Sequence, residues 1–582
     1  MYNWSLKELY NDFDEVFVKD LESLNTDLDT LAELANKLSD AKSLENWITF
    51  NQKLSGKAVN IGAFITFRIS TNSNDELANK YMGQYYNTLS KAARPEAQFT
   101  KWVKSIEDSL ATWLDASPLI KEHQYMLEQT ILTAKHTLSE DAEEILSKMS
   151  INGSSLWSQL QSQLTSNTTI EYEGKPHTLT QLRNLAYDSD TKVRKAAYEK
   201  ELELYKLMDD SVAFALNGIK GEVIQTNKLR NYSNPLEETL IDSRLSKETL
   251  DALIEAIEIN LPTFRKYLHA KAKNLGYTNG LPFYDLFAPY ELEESKEYSV
   301  EDSHKMIVDN FKAFSDDLAN MADRAYKEDW IDFLPKDGKR GGAYCYNLPH
   351  IKQSRIFTNY GKTLSDIITM AHELGHAYHG MMLEDNSLLN TDYSMPVAET
   401  ASTFCENIIF NASMESATDE EKIMLIESSL QDLTQITVDI LSRYKFETEV
   451  FERRQNEFLN SDTLQDIMLT AQKETYGDGL DSEYLHPYMW LNKGHYYSAG
   501  RNFYNFPYAF GGLFALGLYD QFEKEGESFV EKYRQLLKLT ATASCEDVAL
   551  SAGIDTTTVA FWQQSIDQIA KRIDLYIELT SK

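Results

Sequence analysis

The chain has 582 residues, of which 57 are basic and 90 acidic, a net charge of −33. A negative charge of that size argues against nucleic acid and anionic membrane as partners. Gly and Pro are sparse at 24 and 12, no repeat period or low-complexity tract interrupts the sequence, and the length allows two to four domains.

The N-terminus, residues 1–9 and the acidic stretch behind them, has neither the basic segment nor the apolar core of a secretion signal. Cys345, Cys405 and Cys545 are scattered without disulfide or metal spacing, so the expectation is a cytoplasmic protein with reduced thiols. Amphipathic helical periodicity runs through 26–44, 180–225 and 247–275. The polar break at 166–180, with Gly174 and Pro176, reads as a small hairpin closing an N-terminal helical lobe, placed at 1–190. A second break at 276–282 falls within the remaining region, 191–582.

Residues 341–346 and 355–360 are short aromatic and β-branched runs joined by a loop containing Pro349, which predicts a β-hairpin. Its edge could receive an extended peptide as another strand, bound through main-chain groups near Gly342, Ala343 and Tyr344. Gly341 and Gly342 would permit close approach.

A helix is predicted over 363–383, with Thr363 as cap and Asp366 completing a capping box. It carries His372, Glu373 and His376. Histidines four residues apart lie about 40° apart around the axis, so both rings can reach one ion while the glutamate projects beside it. A third ligand is needed. His379 is on the same helix and would crowd the ion, leaving little room for water and substrate. Glu399 lies on a second helix, predicted over 396–411, and is the better candidate. Glu399, Ser402, Thr403 and Glu406 form one polar stripe, from which Glu406 could orient a ligand from behind, as Asp366 could from the first helix. A zinc ion so held, one per chain, would acidify a water and polarise a carbonyl, with Glu373 as general base and then acid.

The stretch from Gly494 to Gly512 is dense in aromatic residues. Half or more of them should be core. Even so, His495, Arg501 and several phenols between Gly494 and Gly500 and beyond suit a loop that closes over a bound peptide and points a hydroxyl at the tetrahedral oxygen. Residues 507–519 form an apolar run too short to span a bilayer, expected as a buried helix.

Together, His372-Glu-Leu-Gly-His-Ala-Tyr-His379 and Pro396-Val-Ala-Glu-Thr-Ala-Ser402 resemble the oligoendopeptidase F branch of the thimet oligopeptidase family, zinc metallopeptidases that cut short peptides. Tyr284-Asp-Leu286 with Pro289, the paired strands, His495-Tyr-Tyr497 and Phe503-Tyr-Asn-Phe-Pro-Tyr508 extend the resemblance over roughly 280–515. It implies a mainly α fold, an elongated helical body with a deep channel holding the zinc and a small β-hairpin beside it. It also implies that His and Tyr of the aromatic segment stabilise the oxyanion. His495, Tyr504 and Tyr508 are favoured, with Tyr497 behind them and Arg501 binding substrate; Phe506 stands where some relatives have Tyr, so the register stays open. The function expected is internal cleavage of unstructured oligopeptides. The alternatives are a zinc carboxypeptidase and a peptide-binding protein without catalysis.

Overall fold

A computed structural model describes residues 2–290 and 296–581. The chain folds mainly as helices, with one two-stranded and one three-stranded sheet among the described residues. Helix boundaries follow capping chemistry more closely than periodicity. Asp40 and Ser43 form a capping box that divides the expected 26–44 helix into Glu15–Asn36 and Ala41–Thr71. The 180–225 stretch becomes Leu179–Asn184, Thr191–Lys206 and Asp209–Leu229, because Asp190 caps the second of these through the amide of Lys192. Short polar side chains that bind nearby amides end one helix and begin the next even where the apolar spacing continues. Helix Lys247–Asn274 matches its expected span. Among the described residues no helix is long and apolar enough to cross a membrane.

Three apolar cores organise the molecule. The first takes residues from Trp4 to Ile131 and adds Leu348 and Phe357. The second joins Leu179, Leu182 and 204–219 to residues 446–497. The third, much larger, runs from Val223 to Leu579. The lobe boundary expected at residue 190 therefore falls inside a packed unit. The hairpin Thr169–Tyr172 and Lys175–Thr178 forms as expected, but Leu179 and Leu182 just after it are buried with the later helices, so it does not close the first lobe.

The second hairpin consists of Tyr344–Leu348 and Gln353–Phe357, antiparallel, with Tyr344 opposite Phe357. It starts three residues later than expected on its first strand, because Gly342 lies at φ +85° and turns the chain before the strand begins. That left-handed conformation is what requires glycine there. No protein atom lies within 4 Å of a Cβ built at Gly341 or Gly342, so the space beside them is open, not filled by packing. A short strand Ile331–Asp332 runs parallel to Gln353–Phe357 on its far side, which leaves Tyr344–Leu348 as the sheet edge. The outer face of the hairpin is held by the N-terminal core: Trp4 packs on Phe357 at 5.9 Å between ring centroids. Arg355, fully buried, donates to the Ser5 carbonyl at 2.6 Å and pairs with Glu8 at 2.8 Å.

Candidate active site

Helix Leu364–Leu383 begins at the expected capping box, Thr363 accepting from the amide of Asp366 and Asp366 accepting from the amide of Thr363. Asp366 is thereby committed to the helix start. Two glycines let neighbours approach this helix. A Cβ at Gly375 would lie 2.4 Å from the Ala401 carbonyl oxygen, and one at Gly380 would lie 2.3 Å from Cγ of Asn347. The first contact seats the helix carrying Glu406 directly against the histidines. The second admits Asn347, whose Nδ2 donates to the His376 carbonyl at 3.1 Å and whose Oδ1 accepts from Ser354 at 2.8 Å, fixing the edge strand to the histidine helix.

The helix expected over 396–411 is broken. Residues Met395–Ala398 form a single turn, Glu399 sits at φ −90° and ψ 8°, and the main helix is Thr400–Ser416. Glu399 is the residue immediately before that helix, where the unpaired amides of the first turn favour a carboxylate. Its Oε2 accepts from Ser402 Oγ at 2.7 Å and points at both histidines.

The resulting geometry is a nearly equilateral triangle. His372 Nε2 and His376 Nε2 are 3.2 Å apart, and Glu399 Oε2 is 3.3 Å from each. A tetrahedral ion bound at roughly 2.0–2.1 Å sets its ligand atoms about 3.3 Å from one another. The hydrogen-bonding partners agree with such an ion. Nδ1 of His372 is 2.5 Å from Glu406 Oε1; the carboxylate accepts from that nitrogen, which leaves Nε2 with a lone pair facing the other two donors. Three lone pairs converging at this distance fit a cation between them. Burial disfavours a charged His372, but the carboxylates of Glu399 and Glu406 outweigh it and raise the imidazole to about 10, a measure of the negative potential at this spot. Among the described residues these three form the cluster of His, Cys, Asp or Glu donors able to surround a metal ion.

Glu373 is 5% exposed, and its Oε2 has no hydrogen-bond partner among the described residues. Burial raises its carboxyl above the usual range, and the neighbouring histidines offset this only in part. An unpaired carboxyl pushed upward beside a metal-shaped triangle suits proton transfer at neutral pH. His379 faces the other way. It is fully buried, bonded through Nε2 to Thr540 Oγ1 at 2.7 Å and stacked on Tyr393 at 4.1 Å, and burial holds it down to about 3.

Ala343, Tyr344 and Cys345 of the sheet edge share a cavity of about 320 Å³ with His372, Glu373 and His376. A second cavity of about 740 Å³ shares His372, Glu373 and Glu399 with the first and reaches Tyr508. Tyr508 is 39% exposed and meets the ring of Tyr504 edge-on at 5.7 Å. Tyr504 Oη contacts Met395 Sδ at 3.5 Å, and the exposed Arg501 lies over its ring at 5.5 Å.

His495 and Tyr497 differ from expectation. His495 does not line either cavity; it lies near Arg443 and Lys493, and burial together with those cations holds it down to about 3. Tyr497 is fully buried, donates to the Trp490 carbonyl at 3.2 Å and belongs to the second core, so it cannot touch a peptide directly. The turn Gly494–Tyr497 is pinned by Tyr496 and Tyr497, both fully buried.

Two backbone features here have no signature in the sequence. Phe503 is buried at φ +51°, a left-handed conformation that bulky residues rarely adopt and that often marks functional segments. It is held from both sides: Lys220, paired with Glu447 at 2.7 Å, also donates to Asn502, and Asn505 donates to Glu447. Next to it, Gln435–Asp439 forms a turn of π-helix, from which Gln435 and Ile436 face the larger cavity. Such turns interrupt helices most often at functional sites.

The chain is similar to known proteins over most of its length. The family model described as Peptidase family M3 matches residues 184–568, and that described as Oligopeptidase F matches 101–169. An oligoendopeptidase F homolog of Lactococcus lactis is 25% identical over 604 residues, covering 100% of this chain and 97% of its own. Oligopeptidase PepF of Bacillus subtilis is 23% identical over 593 residues, with 100% and 87% covered. In fold, the crystal structure of oligoendopeptidase-F from Enterococcus faecium superposes with a TM-score of 0.70 at 18% identity, covering 98% of this chain and 99% of that one.

Proposed function

This chain belongs to peptidase family M3 and is a metalloendopeptidase acting on oligopeptides; we propose that its metal is zinc, one ion per chain, held by His372, His376 and Glu399. The observation that carries the reading is the 3.2–3.3 Å triangle of their donor atoms, with the second nitrogen of His372 committed to Glu406. Two imidazoles and one carboxylate are a donor set typical of catalytic zinc, which keeps a position open for substrate. When bound, the ion supplies Lewis-acid chemistry, activating water and polarising the scissile carbonyl.

The chain's own groups do the rest. Glu373 takes the proton from the attacking water and delivers it to the leaving amine. The peptide lies along the open edge of Tyr344–Leu348, entering past Gly342 and Ala343, with its main chain paired to the strand. Tyr508 donates to the developing oxyanion from the wall of the larger cavity, and Tyr504 and Arg501 buttress it. The turn Gly494–Tyr497 keeps His495 outside both cavities, so the oxyanion role expected of it is not assigned. Tyr497 anchors that segment from the core. A cytoplasmic location fits the three free cysteines, and the net charge of −33 speaks against nucleic acid and anionic membranes as partners.

The test is cleavage of an internally quenched peptide blocked at both ends, alongside a stable folded protein, with products read by mass spectrometry. Internal cuts in the blocked peptide and survival of the folded protein are expected. A need for a free C-terminus would make the enzyme a carboxypeptidase, binding without cleavage would make it a peptide-binding protein, and rapid digestion of the folded protein would make it a general endoproteinase. For the oxyanion assignment, Tyr508→Phe should lower kcat roughly ten- to a thousandfold with little change in KM. A change in KM alone would make Tyr508 a binding contact.

A further inference from the structure

The larger cavity extends past the metal-ligand triangle to a residue of the C-terminal helix Val559–Thr580, Arg572. Its Nη1 donates to Ser429 Oγ at 2.7 Å, its Nη2 donates to Asn407 Oδ1 at 2.6 Å, and its guanidinium lies 4.2 Å above the ring of Phe410. All three partners are neutral. Among the described residues no carboxylate forms an ion pair with it; Glu406 and Glu523 act on it only from farther away. Burial pulls the group down to about 10, so it is a cation at neutral pH. A guanidinium fixed on two edges by neutral acceptors and on one face by an aromatic ring is oriented without being neutralised, and its planar fork suits a carboxylate.

The rest of the cavity sharpens this. Phe410, Leu425, Ile436 and Leu516 supply apolar wall, and the volume of about 740 Å³ lies within the usual range for a ligand pocket. Its acidic groups are Glu373, Glu399 and Glu406 at the metal end, and Asp432, which burial and then the charge of Glu406 raise to about 6. Away from the metal ligands, Arg572 is the cationic side chain among the cavity's lining residues, so a preference for an anionic substrate at that end would come from it.

We propose that this cavity is a subsite of the peptide cleft and that Arg572 is its specificity-determining residue, receiving a carboxylate of the peptide, from an acidic side chain or from the C-terminus. The subsite rests on the peptidase reading above. Apolar walls hold the aliphatic stem while the fork binds the terminal oxygens.

The experiment uses the full-length metal-loaded enzyme and internally quenched peptides of one sequence, blocked at both ends, in which Gln is replaced by Glu at each position around the cleaved bond. A parallel pair carries a free or an amidated C-terminus. At one position Glu should be favoured over Gln by about tenfold or more in kcat/KM, the size expected of a hydrogen bond to a charged group; if the C-terminus is the source, the free acid should be favoured over the amide instead. Arg572→Gln should bring that ratio to about one, and Arg572→Lys should retain part of it. Because each ratio is measured within one preparation, loss of folded or metal-loaded protein cancels. A wild type that favours neither Glu nor a free C-terminus overturns the proposal, as does a ratio that survives Arg572→Gln. If no peptide of the set is cleaved, the peptidase reading itself falls.

Discussion

Replacing Glu373 by Gln should leave one metal ion per chain and lower kcat by roughly a hundred- to ten-thousandfold, the usual contribution of a positioned proton-transfer group. The amide is nearly isosteric with the carboxyl, and Glu373 lies outside the donor triangle, so neither folding nor the His372, His376 and Glu399 set should be disturbed. Loss should therefore fall on kcat and on kcat/KM alike, as for an interaction made only in the transition state. The check is steady-state kinetics beside metal analysis on the same sample. Near-normal turnover would remove Glu373 from the mechanism, and loss of metal would recast it as a ligand.

Glu399→Ala should release the metal and with it all peptide hydrolysis, whereas His379→Ala should keep one ion per chain. The contrast follows from direction. Glu399 Oε2 points at both histidines, while His379 is buried against Tyr393 and Thr540. His379→Ala should instead lower thermal stability, because it leaves a cavity and removes one of the two hydrogen bonds of Thr540 Oγ1, which keeps its bond to the Leu537 carbonyl, together costing on the order of 2–4 kcal/mol. Metal content and melting temperature of the two variants decide the matter; metal loss in the His379 variant with retention in the Glu399 variant would reverse the ligand assignment.

Much of this site was legible because its chemistry is local. The spacing of His372 and His376 and the Thr363 capping box each lie within one helical turn, and the structure reproduces that helix to within a residue. The hairpin was legible in kind, but its register depended on the backbone conformation of Gly342, which composition does not reveal. Glu399 was found by its place on a second helix, although the break in that helix was not, since nothing in the apolar pattern marks a single turn ending at Ala398. The aromatic segment divided as density alone could not predict: Tyr496 and Tyr497 are core, and Tyr508 is open to the cavity. Asn347, the left-handed backbone at Phe503, the π-turn at Gln435–Asp439 and Arg572 escaped sequence reasoning. Each acts through a contact tens to hundreds of residues away or through a backbone conformation, and neither leaves a short-range signature. The second choice for a supporting group resolves simply, because Asp366 caps its own helix and Glu406 reaches His372.

The central claim is that one zinc ion at His372, His376 and Glu399 makes this chain an endopeptidase. It is tested most directly by stripping the protein of metal and titrating it with Zn2+ while following cleavage of a doubly blocked, internally quenched peptide. Activity should be absent without metal, rise in proportion to added zinc and level off at one ion per chain. Cleavage by the metal-free chain, or activity that reaches its maximum only at two ions per chain, would contradict it.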